Sequence, residues 1–177
     1  MIMVQRRRNV VFIGFASCGK STAGKAVAAH GFTFVDLDSV IEERFQYDKK
    51  ETLSCRQIYN QYGNEYFLNL ETKVLGSLLT LESTVLSTGG GAPMTAANRP
   101  ILKQFGFVVY LYAEPEVLLD RMKSKGYPAF LADNPTVENL NKIWNERHDI
   151  YRSMADLTID TNKKNIDEIV TEVLEHI

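Results

Sequence analysis

Five short apolar runs alternate along the chain with longer segments whose apolar residues recur at helical spacing. The first run, Asn9-Val10-Val11-Phe12-Ile13, is continuous rather than alternating, and it stops at Gly14. A strand of a parallel sheet, buried on both faces, reads this way. Phe32-Thr33-Phe34-Val35 ends at Asp36, and Thr84-Val85-Leu86-Ser87 runs towards Gly89-Gly90-Gly91. Phe107-Val108-Val109-Tyr110-Leu111-Tyr112 is the longest run, and Leu157-Thr158-Ile159 the last. Helical patterns fill the intervals over residues 20–29, 39–45, 53–62, 64–79, 116–123, 136–154 and 165–177. Gly31 stops the first helix and Pro115 opens the fifth. Strands alternating with helices predict a parallel α/β sheet with helices on both faces, whose ligands collect at the C-terminal strand ends.

At 177 residues the chain suits one domain, 1–177, and it carries no repeat or linker to divide it. A formal net charge of -2 gives no reason to expect nucleic acid or an anionic membrane as partner. Arg6-Arg7-Arg8 is a short basic run, read as a solvated lead-in to the first strand. No apolar stretch approaches the roughly 20 residues of a membrane span. Cys18 and Cys55 fit no disulfide framework or metal spacing, so a reducing cytoplasm is the expected setting. His30, His148 and His176 are likewise read as structural or surface residues, and Trp144 as core packing.

Chemistry enters where the first strand turns into the first helix. Residues 14–22 read GFASCGKST, so Gly14, Gly19, Lys20 and Ser21 meet the G-x-x-x-x-G-K-[ST] pattern. Such a loop points its backbone N–H groups into one hollow, and the following helix adds its positive end. Gly14, Ser17, Cys18, Gly19, Lys20, Ser21 and Thr22 are therefore the expected nucleotide-phosphate residues. Lys20 is the cation for the β- and γ-phosphates, and the Ser21 hydroxyl is a ligand for Mg²⁺. Ser17 stands where small kinases commonly carry a further glycine, and a local adjustment is expected there. Asp36 and Asp38 close the second strand as Asp36-Leu37-Asp38. Alternate residues of an extended chain face one way, so both carboxylates can serve one cleft, Asp36 with the metal and Asp38 with an acceptor hydroxyl. The competing account is that Asp38 caps the helix predicted from Ser39. Gly89-Gly90-Gly91 permits close approach of a ligand to the backbone at another strand's C-terminal end.

Taken together these residues resemble the shikimate kinase family from the first strand to the last helix. The shared features are the phosphate loop, Asp36-Leu37-Asp38 with the helix after it, residues 63–71, and Ser87-Thr88-Gly89-Gly90-Gly91-Ala92-Pro93. Arg121 matches the family's adenine-side arginine, and Arg147-His148-Asp149-Ile150-Tyr151 its late arginine segment. The resemblance implies a P-loop, three-layer α/β/α fold with a five-stranded parallel sheet in the order 2-3-1-4-5. It also implies a helical acceptor-binding subdomain near residues 38–80 and a lid near 124–135. The implied reaction is phosphorylation of shikimate, or a similar polyol, by ATP with Mg²⁺; a monomer is expected. Lys20 and Asp38 are its expected catalytic residues, and Asp38, Glu71, Gly89, Gly90, Gly91 and Arg147 its acceptor residues. Glu71 is otherwise part of a solvated helix face.

Beyond Ser17, two departures from the family pattern bear on the chemistry. Leu68 occupies the place of the arginine that grips the shikimate carboxylate, and Tyr127 that of a lid arginine that reaches the transferring phosphates. Lys123 and Lys125, just before Tyr127, are either substitutes or solvated lysines at a helix end. The departures leave two alternatives: a kinase of another polyol or cyclitol, or a nucleotide-binding protein with little catalysis.

Overall fold

A computed structural model describes residues 8–177, so most of the basic lead-in around Arg6 and Arg7 lies outside the described residues. Five parallel strands form one sheet in the order β2-β3-β1-β4-β5, as the resemblance implies. They are β1 (Val10–Ile13), β2 (Thr33–Asp36), β3 (Thr84–Ser87), β4 (Phe107–Tyr112) and β5 (Leu157–Asp160). The central β1 pairs Val11 with Leu86 of β3 on one side and with Val108 of β4 on the other. All four of its residues are 0% exposed, which is why its sequence shows no alternation.

Eight α-helices join the strands: α1 (Lys20–Ala28), α2 (Leu37–Lys49), α3 (Cys55–Tyr62), α4 (Asn64–Ser77), α5 (Asn98–Phe105), α6 (Pro115–Lys125), α7 (Val137–Met154) and α8 (Ile166–Leu174). Local signals set most boundaries. Ser54 and Gln57 form a reciprocal capping box at α3, Asn165 and Glu168 another at α8, and Thr136 caps α7.

Two elements differ from expectation. The helix after β2 starts at Leu37, not Ser39, because Asp36 is its cap, accepting from the Ser39 N–H at 3.2 Å. Asp38 therefore lies inside the first turn of α2, released from capping. The alternating-strand argument for Asp36 and Asp38 does not describe their geometry. The second difference is α5, in a stretch for which the sequence pattern gave no element. Pro100 is its third residue, where no intrahelical N–H is needed, so a residue that reads as a breaker is tolerated.

Candidate active site

The loop between β1 and α1 is built for an anion. Gly14 has φ 144°, and a Cβ there would stand 2.7 Å from the Leu111 carbonyl oxygen and 2.8 Å from Cys18 Sγ. Only glycine fits that position. Gly19 is left-handed (φ 103°), no side chain caps α1, and its first turn holds no acidic residue. The uncapped N–H groups and the helix dipole thus stay available to phosphate oxygens. Ser17 also adopts a left-handed conformation, φ 64°. The serine meets the backbone demand of the missing glycine at the cost of strain. Cys18 is a buried filler beneath the loop. Lys20 is 8% exposed and donates its ammonium to the Gly14 (2.9 Å) and Phe15 (2.7 Å) carbonyls, which hold it across the loop.

Hard oxygen donors gather beside this loop. The Ser21 hydroxyl lies 3.3 Å from Asp36 Oδ2 and 3.3 Å from Ser87 Oγ, tying α1 to the ends of β2 and β3. The set suits Mg²⁺, which takes few protein ligands and completes its shell with water and phosphate. Among the described residues no cluster of three or more His, Cys, Asp or Glu is placed to hold a metal by itself.

Asp38 faces the glycine triplet, its Oδ1 3.0 Å from where a Gly89 Cβ would stand. Asp38 reaches water, yet the concave cleft crowds it with protein atoms. That crowding, with Asp36 adding repulsion, raises its pKa against the opposing pull of Lys20. On the other side of the triplet, Arg147 Nη1 comes within 3.6 Å of the corresponding point at Gly90. The Tyr151 hydroxyl donates to the Gly90 carbonyl at 2.6 Å, and burial raises the phenol's pKa against the opposing charge of nearby Arg147.

Glu71 is not on a solvated helix face. It is 3% exposed, accepts from Asn98 Nδ2 at 2.9 Å, and is not bonded to Arg147. Asn98, fully buried, also donates to the Ala92 carbonyl and accepts from the Thr72 hydroxyl. Burial pushes the Glu71 carboxyl up to about 7 against the opposing Asn98 bond, and Asp38 adds to the rise. Asn98, which sequence reasoning missed, thus joins the triplet's exit to α4. Its only sequence signal is an asparagine near the start of an unrecognised helix.

The remaining expected residues are more dispersed. Arg121, half-buried on α6, donates to Thr161 Oγ1 (3.2 Å) and O (3.0 Å) at the end of β5. Tyr127 packs against the core, and Lys123 pairs with Asp120 on the exposed end of α6. Leu68 is half-buried and stands outside the packed core. His148 and Trp144 are structural, as expected. Their rings stack at 4.3 Å, Trp144 donates to the Ala113 carbonyl, and His148 bonds the Tyr110 hydroxyl.

A P-loop on a 2-3-1-4-5 sheet, with acid, cation and glycine floor beside the phosphate cradle, defines a nucleotide-dependent small-molecule kinase. The family model for shikimate kinase matches residues 16–177. The shikimate kinase of Geobacter sulfurreducens is 40% identical over 94% of this chain and 88% of its own length. That of Thermoanaerobacter pseudethanolicus is 35% identical over 95% of both chains. The solved structure of Acinetobacter baumannii shikimate kinase in complex with shikimate superposes with a TM-score of 0.83 at 34% identity, covering 95% of this chain and 91% of that one. The chain belongs to the shikimate kinase family. It is an ATP-dependent kinase that phosphorylates a small hydroxylated metabolite. Among the described residues no helix is long and apolar enough to cross a membrane.

Proposed function

We propose that the acceptor is shikimate, phosphorylated at a hydroxyl to shikimate 3-phosphate, with ATP bound as its Mg²⁺ complex. The observation that carries this reading is the glycine triplet with Asp38 on one flank and Arg147 on the other, beside the phosphate loop. An acceptor bearing a carboxylate at one end and a hydroxyl at the other matches a cleft with a cation and an acid at opposite sides. The Acinetobacter baumannii relative is a shikimate complex, which supports the same choice.

Each residue then has a defined task. The N–H groups from Gly14 to Thr22 cradle the phosphates, and Arg121 flanks the base. Lys20 exchanges its loop carbonyls for the β- and γ-oxygens, offsetting charge as the phosphoryl group leaves. Ser21 and Asp36 hold the metal, which, when bound, neutralises phosphate charge and orients the transferring group. Asp38 accepts a hydrogen bond from the attacking hydroxyl, and its raised pKa suits it to take up the proton. Little base strength is required, because the transition state is loose. Arg147 pairs with the acceptor carboxylate, Gly89 to Gly91 let the ring lie against the backbone, and Glu71 supports that wall through Asn98. Residues 124–135 form the lid, and the protein works as a monomer in a reducing cytoplasm, consistent with two free cysteines.

Leu68 favours one competing acceptor class, a polyol or cyclitol without a carboxylate, because an arginine is missing where the second grip belongs. ADP release measured with shikimate and with a polyol and cyclitol panel separates the two. Shikimate is expected to give the highest kcat/KM, and Lys20→Met to abolish that turnover. A polyol preferred over shikimate, or a Lys20→Met enzyme of near-normal rate, contradicts the reading.

A further inference from the structure

Arg147 has no carboxylate partner among the described residues, and aromatic rings hold it instead. Its guanidinium carbon lies 5.3 Å from the centroid of Phe15 and 5.1 Å from that of Phe130. The rings are perpendicular, with centroids 5.7 Å apart, and form a notch open towards the cation. Phe15 belongs to the phosphate loop and is buried; Phe130 belongs to the segment between α6 and α7 assigned above to the lid. One cation therefore joins the phosphate loop, the lid segment and the acceptor cleft.

Phe130 is an unusual residue for an exposed turn. It is 41% exposed, while its neighbour Leu131 is 1% exposed and anchors the segment in the core. Packing is thus supplied by Leu131, and the Phe130 ring is free to serve the guanidinium. The need for such service follows from Leu68. With one arginine left to hold an anionic group, the looseness of that long side chain weighs directly on affinity. Ring faces restrict the guanidinium without neutralising it.

We propose that Phe130 is a positioning residue for acceptor binding: with Phe15 it fixes the Arg147 guanidinium towards the acceptor carboxylate. Seating the lid and orienting the arginine are then one event. The proposal rests on the assignment of Arg147 to the acceptor carboxylate, and its test separates the two.

Steady-state kinetics on Phe130→Leu, Phe130→Tyr, Arg147→Ala and the Phe130→Leu/Arg147→Ala double variant provide that test. Leucine keeps bulk and apolarity but has no ring face. Phe130→Leu is expected to lower kcat/KM for shikimate by about five- to tenfold through KM, the range of a partly desolvated cation–ring contact. The KM for ATP should change less than twofold, and Phe130→Tyr should recover most of the lost affinity. On the Arg147→Ala background, Phe130→Leu should add nothing further. If Phe130→Leu leaves KM for shikimate unchanged while Arg147→Ala raises it, the positioning role is refuted and the carboxylate assignment stands. Equal losses from Phe130→Leu on both backgrounds also refute the proposal, since the ring then acts without the arginine. If Arg147→Ala has no effect on KM for shikimate, the assignment itself fails, and the proposal with it.

Discussion

Restoring the missing arginine, Leu68→Arg, probes both acceptor recognition and the state of a buried acid. Leu68 lies outside the packed core, so its removal sacrifices little apolar contact. It is also one helical turn before Glu71 on α4, within reach for a long side chain. A charge-assisted contact to the acceptor carboxylate contributes about 1.5–3 kcal/mol. Ordering an arginine side chain costs up to about 2 kcal/mol, but pairing with Glu71 orders part of it in the free protein. A net gain of about 1–2 kcal/mol corresponds to a roughly 5- to 30-fold lower KM for shikimate. The assay is initial-rate ADP release against shikimate concentration at saturating Mg-ATP. Equilibrium urea unfolding between pH 5 and 8 supplies a second readout. The new guanidinium should return the Glu71 carboxyl from about 7 towards the ordinary glutamate range, and so flatten the pH dependence of stability. A flattened pH profile with an unchanged or higher KM would refute the placement of the acceptor carboxylate beside Leu68. If neither quantity moves, position 68 does not share a face with Glu71 in the way described.

Two further substitutions follow from the same geometry. Glu71 binds its proton more tightly folded, at about 7, than unfolded, near 4.5, so its contribution to stability falls as pH rises between those values. The loss approaches about 3 kcal/mol above pH 7. Glu71→Gln should remove that slope in urea titrations and exceed the parent in stability at pH 8; an unaltered slope excludes Glu71 as its source. Ser17 holds φ 64°, a region costing a non-glycine residue roughly 1–2 kcal/mol. Ser17→Gly relieves it at an unfolded-state cost of about 0.5–1 kcal/mol, a net gain of up to about 1.5 kcal/mol, so the melting temperature should rise by up to about 6 °C, whereas a lower value than the parent's would mean that the serine side chain stabilises the loop.

Residues whose roles rest on local pattern were legible in the sequence. The strands showed as apolar runs because a parallel sheet buries both faces, and the phosphate loop showed because few sequences curl a backbone around an anion. The start of α2 was not legible, since Asp36 and Asp38 are both competent caps and only the fold decides between them. Pro100 hid α5, and with it Asn98 and the buried surroundings of Glu71. The notch around Arg147 joins residues 15, 130 and 147, so no local signal could reveal it. What remained illegible is long-range contact.

In the proposed function, donor loop and acceptor cleft act on one substrate pair. Mass spectrometry of a reaction containing the protein, Mg-ATP and shikimate tests it most directly. Phosphorylated shikimate is expected in equal amount to the ADP formed, and neither product from Lys20→Met. ADP without phosphorylated shikimate, or tight ATP binding with no ADP on adding shikimate, would contradict it.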